Sequence, residues 1–134
     1  MTMSSNNSRR PRVLVAEDDA VLRYAIKLIL EKECEVVGEA EDGGAAVELT
    51  ERLRPDVVLL DLSMPVMSGL QAGRLIRERL PDVRVIIVSN YTTEAYIDEA
   101  LRMGAHGYVI KGSATFQLPE AIRDALDGKL FRPA

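Results

Sequence analysis

One cysteine, one histidine and no surplus of positive charge set the first limits on this chain of 134 residues. Cys34 stands alone, so no disulfide forms within the chain, and an intracellular setting fits better than a secreted one. His106 has no His or Cys partner near it, so it reads as a turn residue rather than a metal ligand or a phosphodonor. A net charge of −4 gives the chain no electrostatic footprint for nucleic acid. No apolar run approaches the ~18 residues of a membrane span. Residues 1–10 are rich in Ser and Asn and lack the apolar centre of a secretory signal. No Gly-rich loop follows the first apolar run, which removes a nucleotide-binding module of that type.

What remains is ordinary globular material, 47% hydrophobic and 28% charged. One domain of this length buries roughly two-thirds of its unfolded surface. Residues 1–11 read as a solvated tail that includes Arg9 and Arg10, with Arg12 completing a short basic cluster. Residues 12–128 read as the domain, and 129–134 as the start of a linker.

Within the domain two hydrophobic periods alternate. Apolar runs at 13–16, 57–60, 85–88 and 108–110 are short and continuous, as in strands buried on both faces. The segment 35–40 is less apolar and suits a sheet edge. Helical patterns cover about 20–32, 45–54, 70–80, 93–103 and 115–126. Asp19 can cap the first of these, Asp42-Gly43-Gly44 forms a turn, and Thr92 or Thr93 caps the fourth. Five strands alternating with five helices make an α/β protein with a doubly wound parallel sheet.

Four of the strands end on polar residues at what must be one edge of that sheet: Glu17-Asp18, Asp61, Ser89 and Lys111. Three carboxylates in one small site repel by about 4 kcal/mol per pair at ~4 Å and an effective dielectric near 20. Lys111 compensates one charge, and the remainder favours a divalent ion. Oxygen ligands without His or Cys select Mg²⁺, or Mn²⁺. Phosphoryl transfer onto Asp61 suits this layout, with Ser89 placed to donate a hydrogen bond to a phosphoryl oxygen.

These motifs resemble the receiver domain of two-component response regulators. They are 13–18 (Val-Leu-Val-Ala-Glu-Asp), Asp61-Leu62-Ser63-Met64-Pro65 with Gly69, Val88-Ser89, and Gly107-Tyr108-Val109-Ile110-Lys111. The resemblance covers about residues 12–128 and implies a flavodoxin-like, CheY-like fold with strand order 2-1-3-4-5. It implies Asp61 as phosphoacceptor and Asp18 as direct metal ligand. Glu17 would act on the metal through water, and Ser63 through its backbone carbonyl. Ser89 matches the hydroxyl switch residue, Tyr108 the aromatic whose ring turns inward on activation, and Lys111 the phosphoryl-binding lysine. The implied partners are a sensor histidine kinase and a second copy of the chain, in the cytoplasm, with self-catalysed dephosphorylation.

Three positions depart from the family pattern. Glu17-Asp18 replaces a frequent Asp-Asp pair. Gly112 stands where many receivers carry proline, which leaves the Lys111-Gly112 peptide open as cis or trans. Asn90-Tyr91 follows Ser89 where a small residue is frequent.

Residues 118–133 resemble the last receiver helix and linker start of LuxR-type (NarL-like) transcription regulators, whose helix-turn-helix output domain binds DNA. The chain stops before such a domain, so it reads as an excised receiver, with a stand-alone receiver as the alternative. An aspartate-nucleophile phosphatase is the rival from another class. Such an enzyme needs a second aspartate two residues after the nucleophile, where this chain has Ser63.

Overall fold

The computed structural model describes residues 9–133, so residues 1–8 of the expected tail lie outside it. The elements run β1 (Arg12–Ala16), α1 (Ala20–Leu30), β2 (Glu35–Ala40), α2 (Gly43–Leu53), β3 (Val57–Asp61), α3 (Gly69–Arg79), β4 (Arg84–Ser89), α4 (Glu94–Arg102), β5 (Gly107–Ile110) and α5 (Leu118–Leu126). The strands form one parallel sheet in the order β2-β1-β3-β4-β5, the expected doubly wound arrangement.

The continuous apolar runs are explained by the two cores. Side chains alternate along a strand, and here both sets are buried. Val13, Val15, Val57, Leu59, Ile86, Val88 and Val109 pack under α1 and α5 with Ile26, Leu30, Leu118 and Ile122. Leu14, Val58, Leu60, Val85, Ile87 and Tyr108 pack on the other face, against Ala46 and Val47 of α2, Ala72 and Ile76 of α3, and Ile97 and Ala100 of α4. β2 is the edge strand expected from its mixed composition.

Helix boundaries depart from expectation where a close approach or a proline decides them. α2 begins at Gly43, inside the expected turn, because Asp42 caps it by accepting the Ala45 N–H at 2.8 Å. A Cβ at Gly43 would lie 2.0 Å from the Met67 carbonyl oxygen, so only glycine lets the loop after β3 rest there. The expected helix from Thr115 is instead a 3₁₀ turn, Ser113–Gln117, followed by α5. Pro119 lacks an N–H and is accommodated only in the first helical turn. Asp19 caps α1 as expected, accepting from the Val21 and Leu22 N–H groups. Thr93 occupies the α4 cap position but makes no side-chain capping bond. The Lys111-Gly112 bond is trans, as the chain has no cis peptide among the described residues. No helix among them is long and apolar enough to cross a membrane.

Residues at the two ends of the described chain lie on the domain rather than away from it. Arg9 pairs with Asp56 at 3.2 Å, and Arg10 donates to the carbonyls of Glu31 and Lys32. Phe131 forms a one-residue parallel bridge with Gly107.

Candidate functional site

Parallel strands carry their carboxyl ends to one edge, and that edge brings together Glu17, Asp18, Asp61 and Lys111. Glu17 and Asp61 are buried, at 1% and 3% exposure, while Asp18 reaches solvent. Each of the three offers a carboxylate oxygen within 4.8 Å of the others. Asp19 caps α1, while Glu17 and Asp18 lie in the carboxylate cluster.

Local backbone holds each group. The Asp19 N–H donates to Glu17 Oε2 at 3.0 Å, and Arg23 Nη1 donates to the Glu17 carbonyl at 2.7 Å. The Ser63 N–H donates to Asp61 Oδ1 at 3.2 Å, a tight turn in which the side chain organises its own loop. Beyond that turn, Leu62 N–H donates to the Val88 carbonyl and Gly69 N–H to the Leu62 carbonyl. Ser68 and Gln71 form a reciprocal capping box that starts α3.

Lys111 Nζ lies 3.0 Å from Glu17 Oε1 and 3.0 Å from Asp61 Oδ2. Glu17 Oε1 is buried, and the Lys111 ammonium is its one close polar partner among the described residues. Burial pushes the Glu17 carboxyl up to about 7, with the Asp61 carboxylate adding to the rise and the Asp19 amide and Lys111 opposing it. For Lys111, burial disfavours the ammonium. The two carboxylates outweigh that and hold it above the ordinary lysine range. One lysine thus faces three acidic groups. An all-oxygen cluster carrying more negative than positive charge is the kind of donor set that could hold a hard divalent cation.

Ser89 and Tyr108, both buried, gather instead around Tyr91. The Tyr91 N–H donates to Ser89 Oγ at 2.9 Å, and the Tyr108 hydroxyl donates to the Tyr91 carbonyl at 2.8 Å. Burial pushes the Tyr108 phenol up. The Tyr91 ring stacks on Tyr96 of α4, with centroids 4.3 Å apart and planes at 17°. His106 sits before β5, its Nδ1 accepting the Val85 N–H at 3.0 Å while its own N–H donates to the Val85 carbonyl. Met64 and Met67 are partly buried and pack against the domain core. A cleft between Arg54, Arg79 and Arg84 lies at the opposite edge of the sheet and involves none of these residues.

Two contributors escaped sequence reasoning. Gly69 entered it only as part of a motif, yet a Cβ there would lie 2.1 Å from the Asp61 carbonyl oxygen. The Tyr91 backbone joins Ser89 to Tyr108, a role visible in the sequence only as an unusual residue after the serine.

Residues 13–123 match the family model described as the response regulator receiver domain. Among curated proteins, the transcriptional regulatory protein DegU of Brevibacillus brevis is 38% identical over 127 residues, covering 93% of this chain and 54% of its own length. The chain thus spans about half the length of this relative. The solved signal receiver domain of NarL from Mycobacterium tuberculosis superposes with a TM-score of 0.85 at 35% identity, covering 90% of this chain and 99% of that one. The isolated REC domain of RcsB from Salmonella enterica serovar Typhimurium, solved in the presence of the phosphomimetic BeF3-, gives 0.85 at 28% identity and covers 93% and 94%.

Proposed function

The chain belongs to the response regulator receiver domain family, and from that premise we propose that Asp61 is its phosphoacceptor. The observation that carries the assignment is the ion pair of Lys111 with Asp61 inside a cluster of three carboxylates that this one lysine faces. The family likeness is to NarL/LuxR-type receivers, which makes the chain a signalling module and not a phosphatase.

In this reading an Asp61 carboxylate oxygen attacks the phosphorus of a phosphohistidine on a sensor kinase. The new P–O bond forms as the P–N bond breaks, and the imidazole nitrogen leaves with its electron pair. Lys111 stays charged and neutralises phosphoryl oxygens. The Ser63 N–H fixes the rotamer of the nucleophile. Asp18 and Asp61 would hold Mg²⁺ directly, with the Ser63 carbonyl, and Glu17 would act through water; Mn²⁺ fits the same donors. Bound there, the ion supplies charge neutralisation during transfer. Ser89 Oγ accepts the Tyr91 N–H and keeps its own hydroxyl proton to donate to the phosphoryl group, and Tyr108 reports the change by way of Tyr91.

The chain acts in the cytoplasm, and its partners are a sensor histidine kinase and a second copy of the chain. DNA is reached only through an output domain of the LuxR type. Hydrolysis of the acyl phosphate is self-catalysed, which returns the switch to its resting state. Residues 12–128 are the receiver and 129–134 begin the linker.

Incubation with Mg²⁺ and acetyl phosphate, followed by intact-mass measurement, tests the assignment. One phosphoryl group should be added to the wild type, none without the metal and none to Asp61→Asn. Uptake by Asp61→Asn equal to wild type would remove Asp61 from the role.

A further inference from the structure

Beyond α5 the chain turns back on the sheet. Lys129 N–H donates to the Asp124 carbonyl at 2.7 Å, which reverses the direction after Gly128. Phe131 then lies along the free edge of β5. Its N–H donates to the His106 carbonyl at 3.3 Å, and its carbonyl accepts the Tyr108 N–H at 2.9 Å. The contact is close-packed, since a Cβ built at Gly107 would lie 3.4 Å, ordinary van der Waals distance, from both Phe131 Cβ and its carbonyl oxygen. The Phe131 side chain packs against the α1/α5 core. Arg132 reaches α4, with Nη2 at 2.9 and 3.1 Å from the two Glu94 carboxylate oxygens and 3.9 Å from Asp98.

Four residues thus tie together the end of α5, the edge of β5 and the exposed side of α4. α4 is otherwise lightly held, with only Ile97 and Ala100 buried and no capping side chain. Tyr108 stands at the junction. Its amide holds Phe131, while its hydroxyl holds the Tyr91 carbonyl, whose own N–H holds Ser89. Hydrogen bonds therefore link Ser89, by way of Tyr91 and Tyr108, to the segment 129–132.

We propose that residues 129–132 form a strap that binds β5 and α4 in the conformation with Tyr108 buried, and thereby raises the affinity of the Asp61 site for a phosphoryl group. The proposal rests on Asp61 being the phosphoacceptor. Coupling between two sites is reciprocal. If the strap favours the phosphoryl-bound state, a phosphoryl mimic tightens the strap by the same factor.

The test is a calorimetric titration of the chain with beryllofluoride in Mg²⁺, with amide exchange at Phe131 and Tyr108 followed by NMR. Phe131→Ala should weaken beryllofluoride binding about fivefold. Arg132→Ala, a surface change, should weaken it about two- to threefold. Arg132→Glu should weaken it as well, and adding Glu94→Arg should restore it. Exchange of the Phe131 and Tyr108 amides should slow when wild type is saturated. Failure of wild type to bind beryllofluoride would overturn the phosphoacceptor reading and the strap with it. Wild-type binding that all variants share, with Phe131 exchange unchanged, would overturn the strap alone.

Discussion

At the residue scale, Glu17 carries the clearest electrostatic signature. Its carboxyl is raised from 4.5 to about 7 chiefly by burial, so near neutrality a large share of it holds a proton. In the cation-free protein, the stability contributed by that raised value is present below pH 4.5 and lost as pH rises through 7. A divalent cation requires the carboxylate, so binding must expel the proton. Mg²⁺ affinity should therefore fall about tenfold per pH unit below Glu17's folded value and level off above it, as read by calorimetry. Affinity that ignores pH across that range would take Glu17 out of the cation's surroundings.

His106 has the opposite sign. Burial lowers it below the ordinary 6.5, Arg77 and Arg84 add to the shift, and its Nδ1 must stay unprotonated to accept the Val85 N–H. Its contribution is present above pH 6.5 and lost as pH falls through the lowered value. Urea unfolding should show a lower midpoint on the acid side for wild type. His106→Asn should remove that part of the acid sensitivity, and an unchanged acid slope in the variant would contradict the assignment.

At the scale of elements, the loop between β3 and α3 positions Asp61, the proposed phosphoacceptor. Gly69 lets that loop close on the Asp61 carbonyl. Gly69→Ala should cost about 2–3 kcal/mol in urea unfolding and slow phosphorylation by acetyl phosphate as well. A variant as stable and as reactive as wild type would show that the loop has slack. Gly69 was visible in the sequence only as a break before a helix, because the contact that demands it is between segments. The strands were legible for a plain reason: each is apolar on both faces, so the run is continuous and its polar end is conspicuous. The same logic made Asp61, Lys111 and the acidic pair readable. Pro119 was in view, yet the 3₁₀ turn before it was read as helix, since Leu118 to Leu126 already satisfied the helical period. Val66 is the least legible residue. It adopts a left-handed φ of 70° in an exposed loop, a conformation β-branched residues avoid. The return of Phe131 to β5 left no periodic signal, because one bridging residue has no period.

At the scale of the whole molecule, the doubly wound sheet separates two tasks. Its interior, apolar on both faces, fixes where the strand ends converge, and the ends supply charges that no apolar core would tolerate. The site is an assembly of residues far apart in the chain, so only the complete sheet makes it. The fold and the family make it a receiver module, and a net charge of −4 gives it no electrostatic footprint for nucleic acid. The chain spans a little over half the length of the regulators it resembles.

The most direct measurement locates the phosphoryl group itself. The protein is phosphorylated with acetyl phosphate and Mg²⁺, reduced with borodeuteride to convert the acyl phosphate to a labelled alcohol, and mapped by tandem mass spectrometry of its peptides. The account predicts label at Asp61 and at no other acidic residue. Label at Asp18, Asp19 or Glu17 with Asp61 unmodified would contradict it.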